Sequence, residues 1–427
     1  MPGLALIAAL AAQATTQPGL PSEPTTAPVA QTGTAARSVG ETTYLDLEGG
    51  AGYSSDPLMS LGRNGESGGS AFGRLSAHAV HTMTTDRTTT VFSAFGQSLF
   101  YTNRYGSSQS FDVNARHDAA VTENLRVFAD GDLSYDRGGQ LDTRILSVPD
   151  VPLLPGTIVP PPLLTQNGDF LTVTGKSYRA NADVGGQLSL DPRDFLDASA
   201  GVDHDISKIG TFDTRYTRIP LTFGYERALN ERTSIGARLV ADFTHYSGDI
   251  LGSGRNFRVV TPEFTAKLML SEQLTFTGDV GASFSSFDEG TYTRHTTGLA
   301  ADANLCSVNE RTQLCARASV QQQAATSAGP TNSVMVGVDY TRKLGEFDTL
   351  QLSVSGDRYS NPTLLVAVPT FSHATYLRAA ADYSRKIGRR LFAGVDLAAR
   401  KITGNGADPK ADLSATAFIR YRLGDIR

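Results

Sequence analysis

Between Thr217 and Gly248 apolar and polar side chains alternate twice, once on each side of a short polar turn. In the first arm Ile219, Leu221, Phe223 and Tyr225 alternate with Pro220, Thr222, Gly224 and Glu226; in the second Ile235, Ala237, Leu239, Ala241 and Phe243 alternate with Gly236, Arg238, Val240, Asp242 and Thr244. Successive strand residues point to opposite faces, so this pattern predicts a β-hairpin with one apolar and one polar face. The hairpin recurs from residue 42 to the end of the chain, in about eighteen alternating segments. Clear apolar sets are Leu125, Val127, Leu133 and Tyr135, then Tyr178, Ala180, Val184 and Leu188, then Val334, Val336, Val338 and Tyr340, and finally Leu413, Ile419, Tyr421 and Leu423.

The connections fall into two classes. Short charged ones occur at 84–87, 121–124, 191–194, 229–233, 271–273, 309–312, 344–348 and 387–390. Longer ones rich in Gly, Pro, Ser and Asn occur at 54–69, 136–175, 208–216, 247–256, 287–295, 325–332, 359–372 and 402–410. This asymmetry predicts an all-β fold, a transmembrane antiparallel up-and-down barrel with short periplasmic turns and long extracellular loops. An even strand number puts both termini in the periplasm. Pro220 and Pro262 interrupt predicted strands and predict a bulge or a strand end. The Pro-rich stretch within 136–175 reads as a constriction, a docking loop or a mobile loop, and 363–370 as a segment that packs against it.

Composition narrows the class. Only 40% of residues are hydrophobic and no apolar run approaches the roughly 20 residues of a membrane helix, which excludes a helical membrane protein. A formal charge of -5 without a basic patch argues against a nucleic-acid partner. With no Trp in the chain, the interfacial girdle falls to Tyr and Phe, with Tyr101, Tyr135, Tyr178, Tyr225, Tyr376, Tyr383 and Tyr421 as examples. Residues 1–14 read as a signal peptide, 15–41 as a Pro/Thr/Ala-rich periplasmic linker, and 42–427 as the barrel.

Parity assigns charges to the lumen. Candidate lining residues are Arg126, Asp130, Asp132, Arg179, Asp183, Asp203, Asp205, Arg238, Asp242, Asp339, Asp396, Arg400, Arg420 and Arg422. Such a wall either selects polar or charged solutes or is a solvated, mutually paired surface. Cys306 and Cys315 flank the turn at 309–312 at matched distances, which predicts a cross-strand disulfide facing the lumen. No catalytic, cofactor or metal motif emerges. His78 and His81 face opposite sides, and His204 faces away from Asp203 and Asp205.

The segments YLDLEGGAGYSSDP (44–57), YGSSQSFD (105–112) and VTENLRVF (121–128) resemble a family of outer-membrane β-barrels of alphaproteobacteria, notably sphingomonads. Relatives in that family accompany exopolysaccharide synthesis and export loci. The resemblance implies an outer-membrane barrel over 42–427, with polysaccharide and periplasmic export proteins as partners, and carries over no catalytic residue. The lipid of the outer membrane and the barrel-assembly machinery are the other expected partners. Ile419, Tyr421 and Leu423 alternate as an insertion signal should, but Gly424 to Arg427 follow where a terminal aromatic is expected. The sequence thus points to a pore for polar solutes or exported polysaccharide; the alternative is a closed anchoring barrel whose loops bind a surface polymer or partner.

Overall fold

A computed structural model describes residues 40–57, 68–103, 105–137, 176–209, 212–248, 255–288, 292–325, 329–360, 373–404 and 410–424. The expected leader at 1–14, all of the expected linker at 15–41 but its last two residues (which open the first strand), and the segments 138–175 and 361–372 lie outside the described residues. The strands are β1 (Gly40–Ser54), β2 (Ser70–Thr84), β3 (Thr88–Tyr101), β4 (Ser107–Ala120), β5 (Leu125–Arg137), β6 (Lys176–Ser189), β7 (Asp194–Ile209), β8 (Phe212–Asn230) and β9 (Thr233–Gly248). They continue as β10 (Arg255–Met269), β11 (Leu274–Asp288), β12 (Thr293–Val308), β13 (Thr312–Ala325), β14 (Gly329–Lys343), β15 (Asp348–Ser360), β16 (His373–Lys386), β17 (Leu391–Gly404) and β18 (Asp412–Gly424). Each pairs antiparallel with its sequence neighbours, and β1 pairs with β18, so the 18-stranded sheet closes into a barrel with no free edge. Followed once round the ring, the registers return to β1 displaced by about 22 residues. That stagger requires the steep strand tilt, about 40°, common to closed barrels.

The short turns form for a local reason. Thr85, Thr122, Asp191, Asn230, Ser271 and Asn309 each open one, and each side-chain oxygen accepts backbone N–H groups two or three residues on. These side chains stand in for a backbone acceptor and nucleate the reversal. On the opposite rim the strands run further than their polarity suggests. β7 and β8 are separated only by 210–211, and β13 and β14 only by 326–328, where longer loops were expected. Ladder hydrogen bonds do not need an apolar face, so pairing continues past the apolar band. The connection at 102–106, not anticipated as a loop, joins β3 to β4 on this rim.

The proline expectation is corrected. Pro220 stays in register opposite Asp242, and Pro262 opposite Leu239. Pairing to the other neighbour lapses locally, at 219–220 against β7 and at 261–262 against β11, and resumes in the same register. Each strand thus tolerates its missing N–H by omitting contacts on one side rather than inserting a bulge.

The outward face is apolar. Leu75, Leu133, Val184, Phe223, Val354 and Ile419 are among its exposed side chains. A continuous apolar girdle of this extent is foreign to a soluble monomer and fits an apolar solvent. Tyr135, Tyr178, Tyr225, Tyr383 and Tyr421 stand on this face. Tyr101 and Tyr376 do not: Phe100 and Leu377 take the outward positions, which turns both tyrosines inward. Tyr376 is fully buried there.

Candidate functional site in the barrel lumen

The inner face collects charge. All fourteen lining candidates lie on it, because each alternates with outward apolar neighbours. The densest constellation follows the seam between the first and last strands. β1 supplies Asp46 and Glu48, and the register sets them directly opposite Arg422 and Arg420 of β18. Arg422 grips Asp46 with two hydrogen bonds of 2.7 Å, its guanidinium lying 4.2 Å over the Tyr44 ring. Arg420 reaches Glu48 at 2.9 Å, and Arg74 of β2 reaches the same carboxylate at 2.9 Å. Arg74 also contacts Asp396 of β17, which stands directly opposite Asp382 of β16. Arg74 and Arg420 lie over the Phe418 ring, at 5.4 and 5.1 Å.

Nearer the long-loop rim, Arg400 holds Asp412 at 2.8 Å and donates to the Pro57 carbonyl at 3.1 Å. Asp412 also accepts from the Ser54 hydroxyl at 2.6 Å and the Asp56 N–H at 3.0 Å. Every carboxylate lone pair there has a donor, which is what keeps so buried an ion pair from being costly. These groups frame a recess of about 60 Å³ lined by Glu48, Arg74, Asp382, Asp396, Arg400 and Arg420, room for a few waters.

Elsewhere arginines bridge neighbouring strands. Arg179 of β6 reaches Asp203 of β7 at 3.3 Å. Arg218 of β8 lies between Asp203 and Asp242, at 3.7 and 3.9 Å. Arg238 of β9 holds Glu263 at 2.7 Å and Asp279 at 2.9 Å, tying three strands together. Arg378 of β16 meets Asp357 of β15 at 3.1 Å. Asp205 is buried opposite Tyr216, and Asp339 is paired with Cys315 on the next strand. Arg126 stands near the short-turn end of β5.

One arc departs from this pairing. Asp130 of β5 stands directly opposite Asp183 of β6, and Asp132 lies one inward position along β5, diagonal to Asp112 of β4. Asn114 donates to Asp130 at 3.4 Å, and Arg116 turns to Asp118 of its own strand at 2.8 Å. This arc of the wall is acid-rich.

Cys306 and Cys315 are directly opposite in the β12–β13 register and joined by a disulfide, Cα–Cα 4.1 Å, both buried on the inner side. The histidines do not converge. His78 faces inward between the Tyr44 and Phe95 rings, each centroid 6.3 Å away. His81, His117, His204 and His245 sit outside, hydrogen-bonded to Thr43, Thr90, Thr217 and Asn256 of neighbouring strands at 2.8–3.0 Å.

The wall has a burial gradient along the barrel axis. In the half nearer the long loops, inward side chains are shut away: Tyr246, Tyr376, Ile402, Asp357 and Asp412 are at most 2% exposed. In the half nearer the short turns, Arg126, Asp130, Asp183, Asp279 and Asp396 keep partial exposure. The accessible part of the inner wall therefore lies towards the short-turn end.

Several site residues escaped the sequence reading: Asp46, Glu48, Arg218, Asp382, Arg378 and Asp412. Their strand parity was available, as in YLDLEG (44–49), where Asp46 and Glu48 alternate with Leu45 and Leu47. Their convergence needed the register of the closing seam.

No protein-family model matches the sequence, and no curated protein does. Solved structures similar to the chain include the FrpB iron transporter from Neisseria meningitidis (F3-3 variant; 12% identity, TM-score 0.43, covering 85% of this chain and 62% of that one). The siderophore receptor PirA from Acinetobacter baumannii has 9% identity and a TM-score of 0.40, covering 90% of this chain and 81% of that one. The alcaligin outer membrane receptor FauA from Bordetella pertussis has 9% identity and a TM-score of 0.36, covering 89% and 76%. The chain spans less than two thirds of the length of the FrpB structures it matches. Likeness at this level says nothing about what the lumen carries.

Proposed function

We propose that this chain spans a Gram-negative outer membrane and passes polar solutes through its lumen, without catalysis. One observation carries the reading: a fully closed ring of 18 strands whose outer face is apolar and whose inner face is charged. Lipid offers no partner to backbone amides, so a spanning sheet must close on itself, as this one does. A circular ring of this strand number and stagger is roughly 35 Å across between backbones, wide enough for an aqueous path. Both termini of the barrel lie at the short-turn end, which this reading places in the periplasm.

Within that reading, an exported polysaccharide chain is the substrate class in keeping with the resemblance of 44–57, 105–112 and 121–128. Carboxylates, guanidinium groups and hydroxyls on the wall offer exchangeable hydrogen bonds to sugar hydroxyls. Periplasmic export proteins would deliver the chain to the accessible short-turn end.

A second reading, the closed anchoring barrel, draws on the burial of the inner wall in its long-loop half. Single-channel recording of the refolded protein in planar bilayers, with oligosaccharides as blockers, separates the two. Steady conductance that a sugar blocks supports the conduit. Silence from folded, heat-modifiable protein overturns it and favours the anchor.

A further inference from the structure

On the outer face most rim cations stand near a carboxylate, but one row sets cations side by side. At the short-turn end each of two arginines faces a carboxylate. Arg227 stands opposite Asp194, 3.7 Å away, with the Tyr225 hydroxyl donating to the same carboxylate at 2.5 Å. The arrangement repeats at Arg385 and Asp348, 3.8 Å apart, with Tyr383 donating at 2.7 Å. At the long-loop end the registers instead set Arg137 opposite Lys176, and Lys176 opposite Lys208. Three exposed cations thus stand side by side on β5, β6 and β7, each pair about 5 Å apart at the Cβ atoms. The row meets Gln109 on one side; on the other Lys208 stands opposite Asp213, a single carboxylate that Arg215 also grips at 2.7 Å, so three cations of the row share at most part of one counter-charge.

Like charges directly opposite on a sheet repel. What lies beneath is apolar and aromatic. Two residues towards the membrane, Tyr135 and Tyr178 pack ring against ring, centroids 5.0 Å apart and planes tilted by 41°, next to Ile206, and Leu133 and Ala180 follow. A headgroup-level row of positive charge above an acyl-level aromatic and aliphatic strip has the layout of an anionic lipid.

We propose that Arg137, Lys176 and Lys208 bind a lipid whose headgroup carries phosphate monoesters, in the leaflet at the long-loop end. A monoester carries about -1.5 to -2 charges and three acceptor oxygens, which answers adjacent ammonium and guanidinium groups better than a diester does. The Tyr135–Tyr178 pair and the strip below it contact the upper acyl chains. The inference rests on the membrane reading of the outer face but not on conduction, so a silent barrel would bind the lipid equally.

The test is native mass spectrometry of the folded full chain in detergent micelles with added phosphatidic acid, phosphatidylglycerol or diacylglycerol. Phosphatidic acid should bind most tightly and diacylglycerol not at all. The triple variant Arg137→Gln/Lys176→Gln/Lys208→Gln should weaken phosphatidic acid binding about tenfold or more, whereas Arg227→Gln should leave it unchanged. If the triple variant does not form a heat-modifiable barrel, Lys176→Gln, at the middle of the row, should still weaken binding measurably. Unchanged binding by the variants, equal retention of diacylglycerol, or displacement by millimolar inorganic phosphate would overturn the proposal, the last by showing a free-anion site.

Discussion

Arg420 and Glu48 are 372 residues apart in the chain and meet directly opposite one another, 2.9 Å apart, where the last strand closes on the first. Glu48 is shared by Arg74 at the same distance, so one carboxylate bridges two guanidinium groups on either side of β1. Removing it takes this partner from Arg420 and leaves Arg74 with Asp396 alone. Glu48→Ala should destabilise the barrel by about 3–5 kcal/mol, the cost of leaving buried charge uncompensated, and Glu48→Gln by less. Urea unfolding followed by loss of heat-modifiable mobility checks this, and a midpoint within error of the parent would refute it.

Cys306 and Cys315 enclose a separation of only 9 residues. A loop that short constrains the unfolded chain modestly, so the double variant Cys306→Ser/Cys315→Ser should still fold, at a cost of about 2–3 kcal/mol. Alkylation of denatured protein without reductant should label neither cysteine. Two labelled thiols would show that the bond does not form.

Asp130 and Asp183 stand opposite one another in the arc of the inner wall where acids outnumber cations. Rings and patches of carboxylate favour cation passage. If the barrel conducts, Asp130→Asn/Asp183→Asn should lower the cation-to-anion permeability ratio by about twofold or more, read from reversal potentials in a salt gradient. An unchanged ratio would mean that permeating ions do not sample this arc.

Asp191 lies in the turn at 190–193, and its carboxylate accepts the N–H groups of Arg193 at 2.7 Å and Asp194 at 2.9 Å. The Arg193 bond, ahead of the Asp194 one, holds its pKa below the ordinary carboxylate value. A folded-state pKa below the unfolded one means the stabilisation is complete above the unfolded range, about pH 4, and fades as the pH falls through the depressed folded value. Asp191→Asn keeps an acceptor oxygen and does not titrate. Its urea midpoint should therefore fall less than the parent's between pH 5 and pH 2, and parallel profiles would count against the account.

Much of the barrel was legible because its grammar is local. Alternation needs only neighbouring residues, so Leu133 outward and Asp132 inward could be assigned from the sequence, and matched distance from a turn was enough to align Cys306 with Cys315. Errors came where polarity and pairing part company. The residues at 208–216 look like a loop, yet β7 and β8 carry their ladder almost to its tip because the rim stands clear of the apolar band. By residue type Tyr101 and Tyr376 read as girdle residues, but Phe100 and Leu377 beside them hold the outward positions. The seam network was out of reach for another reason: nothing in the composition of β1 or β18 sets their relative register. That register is a property of ring closure, which the stagger of every intervening pair decides together.

Closure also divides the assembly of the barrel into two kinds of event. Every pairing but one joins strands consecutive in sequence, and six of the short turns carry a side chain that pins the reversal. Such hairpins form with little loop entropy and zip quickly. The β1–β18 pairing must bring together the two ends of the described sheet, so it bears the whole entropic cost of long-range contact. Asp46, Glu48, Arg420 and Arg422 then act as a latch: opposite charges draw the last edges together before their backbone bonds can form. A barrel lacking these four charges should therefore be slower to seal as well as less stable once sealed.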